Sequence, residues 1–228
     1  MNNFVKKSDF MIQNIFSVPV QILDNLPFDL ESRLLLPENV AFQTTSAEFL
    51  TFSKKCNYPT EFHEGFSFSF HKNLQENKEN ELLTQNFLFL IESFAKKKEL
   101  KLRIFQNDPL YIYLTKSCVY KPAISIFKEK NKFMIYKDEQ GDTQKASLNP
   151  YLIFEIWYDE FDKTEKINNY KQIETLKQIV YAKADKSALI LHTRNNKTWT
   201  ETHFQNSNDV VKIMDCPIYL KDLYKNLI

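Results

Sequence analysis

The stretch Asn149–Tyr170, NPYLIFEIWYDEFDKTEKINNY, decides how this chain is read. Its first part, Tyr151–Trp157, is a continuous apolar run of strand length, rich in aromatic and branched side chains. Runs of that kind form central strands covered on both faces. One carboxylate, Glu155, interrupts the run. An ionised carboxylate left alone in an apolar setting costs several kcal/mol, so a cation, a hydrogen-bond set or a metal must be arranged around it. A charged segment follows at once, in which Asp162, Lys166 and Tyr170 are spaced to share one helical face.

Two arrangements satisfy this pattern. A structural ion pair between Glu155 and a nearby lysine is the commoner fate of a lone buried glutamate. A buried-strand glutamate followed by a lysine-bearing helix is also how the core of a metal-dependent nuclease is laid out. The stretch alone leaves both open.

Composition narrows the rest. A chain of 228 residues is one domain with room for an extension. At this length about 70% of the unfolded surface is buried, which is ample for a core without staples. Much of the hydrophobic content is Phe (20) and Tyr (11), so the core is expected to be aromatic. Two glycines cannot supply a GxGxxG or Walker loop, which excludes glycine-built phosphate sites. A net charge of +1 exerts no global pull on nucleic acid, so any such contact is a local patch. Lys96–Lys98 and the Lys128, Lys130, Lys132 group are candidates, although lysine runs are more commonly solvated faces. Cys56, Cys118 and Cys216 are odd in number and far apart, as free thiols in a reducing compartment are. His63, His71, His192 and His203 lack zinc-ligand spacing with them. The apolar run after Lys6 and Lys7 is interrupted by Asp9, Gln13, Asn14 and Pro19, so it does not read as a signal peptide. No stretch is long and apolar enough to span a membrane. A cytoplasmic protein is expected.

Along the chain, residues 1–45 read as an extension packed on a domain spanning 46–228, with SVPVQILDNL as a candidate strand. Thr45 to Glu48 has the capping-box pattern, opening a helix that ends near Asn57–Pro59. TEFHEGFSFSF alternates around Glu64–Gly65 and reads as a hairpin. Glu79–Lys98 carries Leu83, Phe87, Leu90, Ile91 and Phe94 on one face, an amphipathic helix. Leu100–Phe105, Leu110–Thr115, Val119–Lys128 and Lys132–Tyr136 follow as strands, and the polar Asp138–Leu148 as a loop. After the central stretch, QIVYAKA, ALILHTR and KTWTETHF are strands, the latter two joined by a turn at Asn195–Asn196. DVVKI is a last strand before a terminal helix, Tyr219–Leu227.

Taken in order, these segments resemble the Uma-type restriction endonucleases, a family widespread in bacteria within the PD-(D/E)XK nuclease superfamily. SAEFLTFSKK with TEFHEGFSFSF is similar to the family's opening helix and its hairpin. VYKPAISIF is similar to the strand that normally reads Pro-Asp-hydrophobic, and NPYLIFEIW to the strand ending in Glu-Val. DKTEKINNYKQIETLKQIVYAKAD resembles the helix and strand carrying Asp-x-x-x-Lys-x-x-x-Tyr, and CPIYLKDLYKNL the closing helix. The resemblance covers about Ser46 to the C-terminus. It implies an α+β, restriction-endonuclease-like fold with a central mixed β-sheet flanked by helices.

The resemblance also assigns a site. Glu155 occupies the position of the metal-binding strand glutamate, Lys166 that of the helix lysine, and Glu61 that of the hairpin glutamate supporting the metal. In such nucleases the carboxylates hold Mg²⁺ or Mn²⁺, the metal activates its bound water toward DNA, and the lysine positions that water. Tyr170 is expected to pack the helix onto the sheet. The family's other metal-binding residue is an aspartate after the proline, and here Pro122 is followed by Ala123, which has no oxygen to give. Tyr158 and Gln178 also depart from the family's serine and glutamate. Asp108, Asp159 or Glu160 could substitute as a ligand. Equally, Lys121, which shares strand parity with Ala123 and Ser125, could set an ammonium against Glu155 as a remnant of the site. Three functional expectations follow. The first is a nuclease-fold protein with a degraded metal site, kept for binding DNA or a protein. The second is an active endonuclease using a substituted carboxylate. The third is a non-catalytic scaffold, often a homodimer.

Overall fold

The computed structural model of the chain describes residues 16, 18–70, 78–107, 109–113, 117–137, 143–157 and 161–227. Its strands in chain order begin with β1 (Gln21–Ile22), β2 (Asn39–Gln43), β3 (Glu61–His63), β4 (Phe66–Phe70), β5 (Arg103–Gln106) and β6 (Leu110–Tyr113). Next come β7 (Ser117–Tyr120), β8 (Ile124–Phe127), β9 (Phe133–Lys137), β10 (Thr143–Ser147) and β11 (Leu152–Ile156). The last are β12 (Gln178–Lys183), β13 (Ala188–Asn195), β14 (Thr198–Phe204), β15 (Val210–Ile213) and β16 (Cys216–Tyr219). One sheet has eight strands in the order β1-β2-β4-β3-β7-β6-β10-β9. A second has six in the order β14-β13-β12-β11-β8-β5, and β15 and β16 form a hairpin.

The apolar run becomes β11, in the interior of the six-stranded sheet, parallel to β12 and antiparallel to β8. Its alternation sorts its side chains onto two faces. Leu152, Phe154 and Ile156 pack with Leu83, Phe87 and Ile91 of the helix Lys78–Lys97. The Phe87 and Phe154 rings stack there with centroids 4.1 Å apart. Ile153 faces the other way, into a cluster with Phe161, Ile167 and Tyr170 and with Phe68, Leu110 and Tyr120 of the eight-stranded sheet. Glu155 shares the parity of Ile153, so its carboxylate points into the seam between the two sheets. A mixed sheet with a helix on one face and a helical segment on the other is what the sequence led us to expect.

Local signals account for much of this. Thr45 and Glu48 form the capping box of the helix Ser46–Lys55, Glu48 N donating to Thr45 Oγ1 (3.2 Å) and Thr45 N to Glu48 Oε2 (2.7 Å). The β3–β4 hairpin turns at Glu64 and Gly65, whose φ of 92° suits glycine.

Other segments differ from expectation. The strand expected over Val119–Lys128 is broken at Lys121–Ala123, and β7 and β8 belong to different sheets. Pro122 has no N–H for a central ladder, so the chain leaves one sheet there and enters the other. Part of the expected Asp138–Leu148 loop is β10, in which Thr143 and Lys145 are exposed and Ala146 and Ser147 buried; its order comes from five paired positions on β9. Within SVPVQILDNL the strand is the short Gln21–Ile22, and a short helix, Leu30–Leu34, follows with Asp29 accepting from Ser32 N (2.7 Å) at its start. The terminal helix is shorter than expected, Leu220–Leu223. His71, Asp108, Tyr158, Asp159 and Glu160 lie outside the described residues. Among the described residues no helix is long and apolar enough to cross a membrane.

Candidate functional site

The break at Pro122 prepares a polar centre. Where the chain passes between the sheets, the backbone N–H groups of Lys121 and Ala123 have no strand partner and need acceptors. Glu61, at the start of β3, takes the first: Lys121 N donates to Glu61 Oε1 at 3.0 Å. Glu155 takes the second: Ala123 N donates to Glu155 Oε2 at 3.0 Å. Between the two carboxylates lies the Lys166 ammonium, 2.5 Å from Glu155 Oε1 and 3.0 Å from Glu61 Oε1. It is delivered by a π-helical turn, Asp162–Lys166, that runs into Ile167–Tyr170. One turn on, Tyr170 donates from its hydroxyl to Glu155 Oε1 at 3.1 Å. All three charged side chains are less than a tenth exposed. Glu61, Glu155, Lys166 and Tyr170 thus meet at one point, although they come from three separate parts of the sequence.

A second set of side chains props up the first. Tyr120, at the end of β7, places its ring 5.5 Å from the Lys166 nitrogen. Its hydroxyl accepts from Asn169 Nδ2 (2.8 Å) and lies 2.6 Å from His63 Nδ1, itself 3.3 Å from Cys118 Sγ. Burial pushes the Tyr120 and Tyr170 phenols up, the Glu155 charge adding to the effect on Tyr170, so both stay neutral. The sequence reading does not find Tyr120, His63 or Asn169. Two weak signals were available: His63 has the strand parity of Glu61, and Asn169 lies three residues beyond Lys166 on the helix.

The expectation for Lys121 is corrected. Its backbone binds Glu61, but its ammonium lies 6.0 Å from the centre of the Phe49 ring, where burial lowers its pKa against the opposing charge of Glu61. The cation set against Glu155 is that of Lys166, because the bend at Pro122 ends the strand parity on which the Lys121 reading relied.

A divalent metal does not fit this donor set as arranged. The oxygens of Glu61 and Glu155 that face one another both contact an ammonium, and the second oxygen of Glu155 accepts a backbone N–H. Position 123 offers a methyl group. Among the described residues no group of three or more His, Cys, Asp or Glu side chains is assembled to hold a metal.

His192, on β13, is buried with neither ring nitrogen hydrogen-bonded, and its Nδ1 lies 3.5 Å from Glu201 Oε2. Burial, with Lys171 adding to it, pushes its pKa down to about 4. The unfolded chain therefore takes up a proton at this residue below about pH 6.5, before the folded protein does. Above that pH the group is neutral in both states and contributes nothing. Stability is lost as the pH falls from about 6.5 toward 4. We expect the melting temperature to drop less between pH 7 and pH 5 in His192→Leu than in the wild type. Parallel pH profiles of the two proteins check this.

No family model matches this chain, and no curated protein matches it. Among solved structures it is similar to the crystal structure of a "putative nuclease belonging to DUF820" from Anabaena variabilis. The two share 16% identity with a TM-score of 0.53, over 89% of this chain and 100% of that one. At that identity the likeness bears on fold. The fold is restriction-endonuclease-like. It is α+β, with the central mixed sheet and flanking helices that the motif order implies.

Proposed function

We propose that this chain is a cytoplasmic nuclease-fold protein in which the Lys166 ammonium stands where a divalent metal would be held, so that DNA phosphodiester cleavage is weak or absent. The observation that carries the reading is the contact of that ammonium with both carboxylates, at 2.5 Å and 3.0 Å. Two carboxylates need a cation, and here a side chain of the protein supplies it. In the family the chain resembles, Glu61, Glu155 and an aspartate at position 123 would hold Mg²⁺ or Mn²⁺. Ala123 lacks that carboxylate, and a lysine neutralising two glutamates is unable to position a water as well. Losing one electrostatic group from an active site already costs about 10²–10³ in rate. What such a protein retains is a surface for binding DNA or a partner protein.

Plasmid cleavage in Mg²⁺ and Mn²⁺ tests this, with wild type, Ala123→Asp and Glu155→Ala side by side. The wild type is expected to leave the plasmid intact and, by calorimetry, to bind neither metal stoichiometrically. Cleavage by Ala123→Asp alone would trace the loss to that position. Cleavage by the wild type that disappears in Glu155→Ala would overturn the reading and show that another carboxylate serves the metal.

A further inference from the structure

The six-stranded sheet has a second feature, at the end where β11 and β12 begin. Arg103 is opposite Phe127, and Arg194 is opposite Trp199. Between them Tyr151 and Lys177 continue the same row. Leu152 pairs with both Ile126 and Gln178, Gln178 pairs with Thr193, and Lys177 N donates to Tyr151 O while Arg194 N donates to Lys177 O, each at 2.8 Å. One line of residues thus crosses all six strands. The flanking loops add Lys128 and Lys130 on one side and Lys197 on the other. The first loop is pinned beside Tyr151, because Asn149 accepts from Lys132 N (2.7 Å) and donates to Lys130 O (3.2 Å).

Arg103, Lys128, Lys130, Lys177 and Lys197 are all exposed. None makes an ion pair with a carboxylate among the described residues. The acidic residues in these same loops are Glu129 and Glu174. Two aromatic rings lie in the row under cations: Tyr151 with the Lys128 ammonium 3.8 Å from its centre, and Trp199 with the Arg194 guanidinium at 4.7 Å. The chain as a whole carries only +1, so this concentration of charge is local.

We infer that this sheet end is a docking surface for the phosphate backbone of a nucleic acid strand. Five strand spacings of about 4.8 Å make the row about 24 Å long. At about 3.4 Å per nucleotide that matches about seven phosphates of one strand. Exposed cations along a line release counterions from such a backbone, and the rings of Tyr151 and Trp199 hold Lys128 and Arg194 in place along it. Glu155 is the fourth of the five residues of β11, toward the other end of that strand, so binding here leaves the Lys166 cluster untouched. The inference deepens the non-catalytic reading above by naming a partner and a surface, and either can fail without the other.

The test is fluorescence anisotropy with labelled single-stranded and duplex DNA of about 25 nucleotides, at about 50 mM and 200 mM salt. If about five phosphates are neutralised, affinity for at least one probe should fall about 500-fold across that range. Lys128→Glu/Lys177→Glu/Lys197→Glu leaves two of the five cations, so it should bind at least about tenfold more weakly at low salt, with a residual salt effect of about tenfold. Lys96→Glu/Lys97→Glu/Lys98→Glu makes the same change in net charge at the end of another element and should bind like the wild type. Circular dichroism and melting temperatures establish that both variants fold. The inference is overturned if the wild type binds neither probe at low salt, if the two variants weaken alike, or if anionic vesicles compete equally with DNA. Plasmid cleavage by the wild type would overturn the non-catalytic reading and leave this one standing.

Discussion

Lys166→Met is expected to destabilise the protein by about 3–5 kcal/mol, the cost of removing one partner from a buried charge cluster. Methionine retains most of the side-chain volume, so the loss reports charge rather than packing. Without the ammonium, Glu61 and Glu155 face each other across a site where each is less than a tenth exposed. Two like charges at that range cannot both stay ionised, and the cheapest response is for one to take a proton. The sign of the pH effect follows. A carboxylate whose folded pKa is raised is favoured at low pH and penalised as the pH climbs past that value. The loss in Lys166→Met should therefore be larger at about pH 8 than at about pH 5.5. Adding Glu155→Gln should recover a good part of it, because the amide oxygen can still accept from Tyr170 or Ala123 without a charge. Urea unfolding of the four proteins of this double-mutant cycle, at both pH values, measures the effect. A loss that is independent of pH and unrelieved by Glu155→Gln would mean that the ammonium is held by packing, and the metal-surrogate reading would go with it.

How much of this centre could be read beforehand depends on the kind of signal each residue gives. Glu155 stood out because a charge inside an apolar run has to be compensated. Lys166 and Tyr170 stood out because four residues along a helix put them on one face. Glu61 came only with the family resemblance, since nothing local marks a hairpin glutamate as buried. Tyr120, His63 and Asn169 gave no sequence signal strong enough to use: their hydrogen bonds join elements that only the tertiary fold brings together. The same distinction runs through the fold. The capping box at Thr45, the hairpin at Gly65 and the amphipathic helix Lys78–Lys97 are periodic or local patterns and were legible. The division of Val119–Lys128 between two sheets was not, because apolarity continues on both sides of Pro122 and only the loss of one N–H marks the crossing. Reading that stretch as one strand carried a cost, since it projected the Lys121 side chain onto Glu155. The strand β10 was hidden for the opposite reason, its polar side chains suiting a loop while its backbone pairs with β9.

Arg33→Met is expected to cost a similar amount, about 3–5 kcal/mol, with no charged partner involved. Arg33 lies in the short helix Leu30–Leu34 and is fully buried, the largest such side chain among the described residues. Its guanidinium donates from Nε to Ser69 Oγ (3.1 Å), from Nη1 to Pro37 O (2.9 Å), and from Nη2 to Glu38 O (2.9 Å) and Ser69 O (2.7 Å). Burial lowers its pKa, and carbonyl dipoles from two segments hold the charge in place of a carboxylate. One end of this fork closes the turn after the helix, and the other grips β4, so the short helix is fixed against the sheet that β2 already joins by pairing with β4. Methionine fills the space but leaves three backbone oxygens without these donors, each worth about 1–3 kcal/mol when buried. Arg33→Lys should not rescue it, because a compact ammonium cannot span four acceptors laid out for a planar guanidinium. Chemical denaturation of both variants decides the point. If lysine restores stability to within about 1 kcal/mol of wild type, the charge alone matters and the fork geometry does not. If both variants fail alike, the fork geometry of this arginine is what locks the helix Leu30–Leu34 onto the edge that β2 and β4 form, and no pattern of polarity along the sequence announces it.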